Sequence, residues 1–550
     1  MKKKLLATTI TLLSLASIAG AQIRFNDITA LAGVSYLQNS PSVPGSGALL
    51  AMTGGAAAGD VDGDGWVDLF VTRINGNSRL FRNLGVNGGG VHLGFENVAS
   101  TSFIPSPPAS RMNGAAFADV DGDGDLDLML TGIATPSHYL WMNDGTGQFV
   151  EEGATRGLSL PGNGQHQGFS ASFGDFDLDG YLDLYVTEWG HVIDTVPPLP
   201  SRSRLLRNMG AANPGYYEDV TDAAGVGLED SIPTGPGSGP WQGVYSFTPK
   251  FADFDDDGWP DLAIAGDFGT SRLFWNNQDG TFTDGTIAAA VAGDENGMGA
   301  AVGDFNGDGN LDWFVTSIYD PLGTCGPGLC NWANSGNRLY LGDGARNFTD
   351  ATDLGVRDGG WGWGATDIDF DNDGRLDIAM TNGIKFTMSA FDDPFNDDMS
   401  KIFRFNGADF DDVGYRIGVR DTLSGKGILK LDFDRDGDED MFVTNAVDRP
   451  VLYRNEGGNN RKWLQVDLQG SGANTFGIGA RVLLWPDEGD APLVREQSAS
   501  SNYLSQNETL LHFGLNQDTL VDRLEVHWPG GAVSVLEDVA AEQRIVVMEP

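Results

Sequence analysis

Short apolar runs of strand length recur along most of this chain, each bounded by glycine and acid. Ala56-Ala57-Ala58-Gly59 and Leu69-Phe70-Val71-Thr72 form the first pair. Both are too short for a helix and the second is rich in β-prone residues, so the pair predicts two neighbouring strands. A second signature follows, Arg79-Leu-Phe-Arg-Asn83. It returns as Tyr139-Leu-Trp-Met-Asn143, Arg204-Leu-Leu-Arg-Asn208, Arg272-Leu-Phe-Trp-Asn276, Arg338-Leu-Tyr-Leu341, Ile402-Phe-Arg-Phe-Asn406 and Val451-Leu-Tyr-Arg-Asn455. A third, Phe-x-Asp-x-Thr or a near variant, opens at Phe25, Phe95, Phe149, Tyr217, Phe282, Phe348 and Phe410. Seven units of about four strands are expected, and no such unit buries both its faces alone.

The turn between the first two strands of each unit is crowded with acid. Asp60, Asp62, Asp64 and Asp68 stand at positions 1, 3, 5 and 9, with Gly65 at position 6. Carboxylates at this spacing repel one another unless something neutralises them. A hard cation with several oxygen ligands at ~2.3–2.6 Å does so, and calcium is the usual one. The start resembles an EF-hand loop, but position 12 is Val71 rather than a bidentate Glu, and strands flank it. The spacing repeats at Asp119, Asp121, Asp123 and Asp127; at Asp175, Asp177, Asp179 and Asp183; and at Asp253, Asp255, Asp257 and Asp261. It continues at Asp304, Asn306, Asp308 and Asp312; at Asp369, Asp371, Asp373 and Asp377; and at Asp432, Asp434, Asp436 and Asp440. Up to seven calcium sites are expected.

Four-stranded units at this period fit the blades of a β-propeller. The chain enters on a lone third-signature strand at Phe25 and leaves the repeats at Asn455. The entry strand is therefore expected to complete the last blade and close the ring. The expected fold for residues 22–456 is all-β, a seven-bladed propeller with every acidic turn on one face. Longer connections crowd the other face and carry Tyr36, Trp189, Trp241, Tyr245, Trp332 and Phe395. Long loops on a rigid scaffold are where binding usually resides, which makes Trp189, Trp241 and Trp332 the candidate ligand face. From 461 to 550 the acidic turns stop, and apolar and polar residues alternate as in a small β-sandwich-like domain.

Residues 1–21 join Lys2-Lys3-Lys4 to an apolar stretch and Ala19-Gly20-Ala21, the pattern of a cleaved signal peptide. No later run is long and apolar enough to predict a transmembrane segment. With 77 Asp+Glu against 34 Lys+Arg the net charge is −43, which makes nucleic acid a poor partner and suits a calcium-rich exterior. The expected location is secreted, or periplasmic or cell-surface in a bacterium. Cys325 and Cys330 flank Gly-Pro-Gly-Leu and read as a local disulfide in an oxidising compartment. A redox pair or half a metal site are the alternatives. No HExxH, GxSxG or P-loop pattern occurs, so no catalytic residue is assigned.

The core Gly-Asp-Phe-Asp/Asn-x-Asp-Gly-x-x-Asp at Gly174–Asp183 and Gly303–Asp312 resembles the FG-GAP/VCBS repeat. The resemblance implies calcium on the side chains at positions 1, 3, 5 and 9, with a main-chain carbonyl from position 7. Asn306 keeps an oxygen but loses a charge, so the fifth site is expected to be the weakest. Gly477-Ile-Gly479-Ala-Arg481-Val482, His512-Phe-Gly-Leu515 and Trp528-Pro-Gly-Gly531 look like an ASPIC/UnbV domain. Together the two parts are similar to the cartilage acidic protein family. What this implies is a secreted calcium-binding interaction or adhesion module, taking extracellular protein or glycan on the face opposite the calcium turns. The alternative is a secreted carbohydrate-active lyase or hydrolase working in the propeller channel, with Trp361-Gly-Trp363 lining it.

Overall fold

The computed structural model of this chain describes residues 23–38, 52–74, 76–104, 111–159, 166–191, 202–228, 243–320, 335–384, 395–446 and 448–550. The leader at 1–21, Cys325, Cys330, Trp241 and Trp332 lie outside the described residues.

Among the described residues the repeats form four-stranded antiparallel units, sheets 1 to 7. Short pairings of His166–Gln167 with Ile133–Thr135 and of Trp189–His191 with Gly243–Tyr245 join sheets 2, 3 and 4 into one 13-stranded sheet, and sheet 1 gains a fifth strand. In sheet 1 the strands A to D are Ala56–Gly59, Asp68–Val71, Arg79–Asn83 and Phe95–Asn97, paired in that order. Strand A of sheets 2 to 7 begins at Met112, His166, Gly243, Ala300, Gly362 and Gly425. Sheet 7 takes its fourth strand from the far end of the chain, Arg24–Asp27 lying antiparallel to Val451–Glu456 with Phe25 opposite Asn455. Each strand A packs on the next, and that of sheet 7 on that of sheet 1, so the sheets close a ring. Apolar side chains of facing sheets fill the spaces between them, as Leu69 and Val71 do against Leu429, Leu431 and Phe442.

Two recurring side chains tie each sheet to its neighbours. Strand B starts on the position-9 aspartate, and four residues on six sheets have a threonine: Thr72, Thr131, Thr187, Thr316, Thr381 and Thr444. The hydroxyl accepts an N–H from its own sheet, 2.9 Å from Gly55 to Thr72, and donates to a carbonyl of the next sheet, 2.6 Å from Thr72 to Asn113. Thr444 makes this bond to Gly54 across the closure, at 2.5 Å. Sheet 4 has Ala265 there, and Thr248, directly opposite on strand A, supplies the link to Met298 at 2.6 Å. The approach excludes any side chain: a Cβ on Gly299 would lie 2.0 Å from the Trp363 carbonyl oxygen.

Beside the acidic turns the tie is the asparagine that ends strand C. Asn83, Asn143, Asn208, Asn276 and Asn455 each donate Nδ2–H to the position-2 carbonyl of the preceding sheet's turn, at 2.8–2.9 Å. Sheets 5 and 6 lack it, with Gly342 and Phe405 in its place. The sixth strand C runs Lys401–Phe405, one residue earlier than the signature ending at Asn406 implies.

From Lys462 on, two small sheets form around Leu464, Val482, Phe513, Val526 and Trp528. One holds Leu511–Asn516, Lys462–Gln469 and Gln543–Met548; the other holds Leu493–Glu496, Arg481–Trp485, Leu520–His527 and Val533–Ala540. Between Glu496 and Leu511 the chain leaves these sheets and runs into the axis of the ring, where Ser505–Gln506 pairs in parallel with Ala56–Ala57.

Candidate metal turns and their cap

All seven acidic turns join strands A and B and so stand together at one end of the ring. The position-1 aspartate builds each turn. Its carboxylate accepts the N–H of the position-6 glycine, 2.7 Å for Gly65 to Asp60 and 2.9–3.1 Å in the other six. Those glycines have φ between +86° and +96°, open only to a residue without Cβ. Position 4 is left-handed as well, and there Leu178, Asp256, Asn372 and Arg435 carry the strain. The position-9 aspartate is buried and fixes strand C: Asp68 accepts N–H from Asn83 at 2.8 Å and from Val61 at 3.2 Å. Position 5 sits at the rim, where Asp64 accepts the N–H of Trp66 at 2.9 Å.

In the first four turns the carboxylates at positions 1, 3 and 9 bring one oxygen each within 4.8 Å of one another. Ligands on opposite sides of a calcium ion bound at ~2.4 Å lie ~4.8 Å apart, so a single ion spans each set. Oδ1 of Asp60, Asp121, Asp177, Asp255 and Asp434 is buried and accepts no hydrogen bond, a costly state for a carboxylate until a ligand completes it. Burial first, then the negative charge of neighbouring aspartates, pushes six of the turn acids well up. Asp68 reaches about 8, Asp261 about 9, Asp175 and Asp369 about 7, and Asp121 and Asp434 about 6. The residues fit calcium, with positions 1, 3 and 9 inside and position 5 at the rim. In the fifth turn Asn306 instead donates Nδ2–H to Asp308 at 2.8 Å. Guanidinium groups lean on three others: Arg346 on Asp255, Arg404 on Asp371 at 2.6 Å and Arg454 on Asp434 at 2.9 Å.

Comparison with known families finds an FG-GAP-like repeat at residues 60–130 and 253–315, over turns 1, 2, 4 and 5. A second match, described as ASPIC and UnbV, covers residues 470–550. The chain carries FG-GAP-like repeats and a C-terminal ASPIC and UnbV domain. Cartilage acidic protein 1 of Homo sapiens is 27% identical over 525 residues, spanning 90% of this chain and 71% of that protein. The Mus musculus protein of the same name is 26% identical over 530 residues, spanning 90% and 73%. Among solved structures, an Agrocybe aegerita lectin described as recognising non-reducing terminal N-acetylglucosamine superposes with a TM-score of 0.41 at 16% identity, over 82% of this chain and 96% of that one.

The ASPIC and UnbV domain sits on the acidic turns of the FG-GAP ring. Thr475 donates to Asp119 Oδ2 at 2.5 Å, Gln465 to Asp432 Oδ2 at 2.7 Å and the Gly514 N–H to Asp369 Oδ2 at 3.0 Å. Arg481 pairs with Asp256 at 2.6 Å, and Arg461 with Asp371 at 2.9 Å. From this seat the segment Ala499–Glu508 enters the axis and bonds to sheets 1, 2, 3, 4, 6 and 7. Ala56 donates to Ser505, Ala115 to Leu504, Ser501 to Ser172, Lys250 to Asn502, Ala365 to Asn502 and Lys430 N–H to Asn507. Tyr503 and Leu504 at its tip pack on Met52, Phe169, Phe247 and Trp363. Trp361 and Trp363 are buried in this same cluster, so they close the axis rather than line an open channel.

Sequence reasoning missed this segment because Ser-Asn-Tyr-Leu-Ser-Gln-Asn has neither strand alternation nor charge. On the opposite rim the aromatic expectations divide. Tyr36, Tyr245 and Phe395 are core residues. Trp189 is half-buried, stacked on Phe247 and bonded through Nε1–H to Asp267 at 3.2 Å.

A further cluster, His138, His166 and Glu188, is fully buried between sheets 2 and 3. A tetrahedral metal on both imidazoles would hold the ring centres roughly 5 Å apart. They are 3.6 Å apart, and Nδ1 of His138 already accepts the Gly132 N–H at 3.2 Å. His166 Nδ1 is hydrogen-bonded to Glu188 Oε1 at 2.7 Å, and His138 Nε2 lies 3.2 Å from the same oxygen. Burial would raise Glu188, but the two histidines, at 2.7 and 3.2 Å from Oε1, pull it down to about 2.

Proposed function

We propose that this chain is a secreted, calcium-loaded propeller module that holds an extracellular protein or glycan through the face opposite its acidic turns. The observation that carries the reading is the seat of the ASPIC and UnbV domain. It covers the turn face and fills the axis, which leaves partner binding to the opposite rim, around Trp189 and the long connections there. Calcium is supported by the converging, unsatisfied carboxylate oxygens, and secretion by the leader pattern and the acid surplus. The domain limits at 22–456 and 461–550 belong to the same reading, as does a Cys325–Cys330 bridge bracing one loop of the binding rim.

The test is to probe glycan arrays and panels of extracellular proteins with the full chain, in calcium and in EDTA, together with a polysaccharide-cleavage screen. Binding in calcium that weakens at least tenfold in Trp189→Ala, with no sugar released, is the expected outcome. Release of oligosaccharide, or a partner that cross-links to the ASPIC and UnbV side, would overturn the proposal.

A further inference from the structure

The surface that the ASPIC and UnbV domain occupies is made of the candidate metal ligands themselves. Asp119, Asp369 and Asp432 are position-1 aspartates, and each divides its carboxylate between building its own turn and accepting a donor from the domain. A carboxylate held by a divalent ion keeps both its charge and its orientation. One left among unneutralised neighbours is repelled by them and turns away, and a charge-assisted hydrogen bond weakens as its acceptor moves.

The axial segment belongs to the same lever. It is flanked by Leu493–Glu496 and Leu511–Asn516, which lie in the two sheets of the domain, so it moves with them. Its tip is also strained. Tyr503 has φ +126° and Leu504 φ +55°, conformations that a tyrosine and a leucine hold only while the surroundings enforce them. Several ring amides find their acceptor only in this segment: Ala115 in Leu504, Ala365 in Asn502 and Phe251 in Ser500.

We infer that the ASPIC and UnbV domain reads the metal state of the acidic turns, and that Ala499–Glu508 is an axial plug seated when the turns hold calcium and withdrawn when they are stripped. Calcium and the seated plug then favour each other reciprocally, as linkage requires. Withdrawal would expose the inner edge of sheet 1 at Ala56–Ala57, where Ser505–Gln506 now lies as an added strand, to another extended peptide. The inference rests on the calcium reading proposed above.

The experiment is hydrogen–deuterium exchange on the full chain in millimolar calcium and after chelation, with bound calcium measured on the same samples. Loss of calcium should speed exchange at Ala115, Phe251, Ala365, Ser501 and Leu504 at least tenfold, while strand B amides such as Leu128 keep their protection; re-addition should restore it. Calcium that is bound and removed without any change at these amides overturns the inference and leaves the calcium reading intact. A chain that retains no calcium at all overturns both. Should chelation loosen the whole ring, a Thr475→Val, Gln465→Leu double variant decides. It removes two donors of the domain and no metal ligand, so calcium content should hold while the plug-dependent amides exchange several-fold faster, and unchanged exchange would overturn the inference.

Discussion

The two ends of strand B, the threonine that bonds to the next sheet and the acidic turn, are built from opposite chemistry. At the inner end a neutral threonine hydroxyl accepts from its own sheet and donates to the neighbour, and nothing further is required. At the other end, four residues away, buried carboxylates are pushed together, with oxygens that accept nothing. The first end is complete within the polypeptide. The second, on the proposed calcium reading, is completed by a cation. Dependence on conditions should therefore be confined to one end of the ring, and the ring as a whole can be closed by one set of contacts while being tuned by the other.

The heaviest blow to that contrast is removal of metal. At a free ion concentration a hundred times its Kd, each occupied site adds about 2.7 kcal/mol. Several sites together should cost more than about 10 °C in Tm when excess EDTA is added; an unchanged melt would mean that the acidic end also completes itself. Next in size is Gly299→Ala, which forces a Cβ against the Trp363 carbonyl. It should cost more than about 3 kcal/mol by denaturant unfolding, equally in calcium and in EDTA.

Thr444→Val should cost about 1–3 kcal/mol, again with no calcium dependence, because it strands a buried carbonyl and a buried N–H. Thr248→Val should cost a similar amount even though it sits on strand A, since it does the work that Ala265 cannot.

The smallest effect separates the ends by pH. In EDTA, Asp175, Asp68 and Asp261, at about 7, 8 and 9, have folded values above the unfolded one. Their contribution is whole below about pH 4 and is lost as pH rises through 7 to 9. Buried His138, lowered to about 3 by burial and by His166, acts in reverse, its contribution whole above about pH 6.5 and lost below. The stripped protein should melt a few degrees higher near pH 6 than at pH 9, and the calcium-loaded protein should not.

Much of this was legible in the residues because the repeat presents it seven times. The Asp-x-Asp-x-Asp-Gly-x-x-Asp spacing placed every acidic turn between the right strands, and the stray Phe25 strand announced sheet 7. The threonine four residues beyond six of the seven position-9 aspartates was equally visible, as Leu-Phe-Val-Thr72 and its copies. Its role was not, because a hydroxyl that bridges two sheets leaves no pattern of burial or charge. Asn83 and its counterparts appeared as a motif without a purpose for the same reason: their partners lie in another unit. The axial segment was illegible on different grounds. Its shape is dictated by the six sheets it bonds to rather than by its own sequence, and its polar residues carry no strand pattern. Trp189 is half-buried, while Tyr245 and Phe395 turned inward because their segments pack on the aromatic end of the axis.

Sheet 7 imposes an order of events on synthesis. Its outer strand is made almost first and its other three almost last, the Leu452–Thr29 hydrogen bond spanning 423 residues. No nascent chain can complete the circle before Glu456 has emerged, so the first sheets must wait with an unpaired flank, and closure is a late, long-range step of the slow kind. The axial segment, encoded later still, can find its place only once there is a circle to enter.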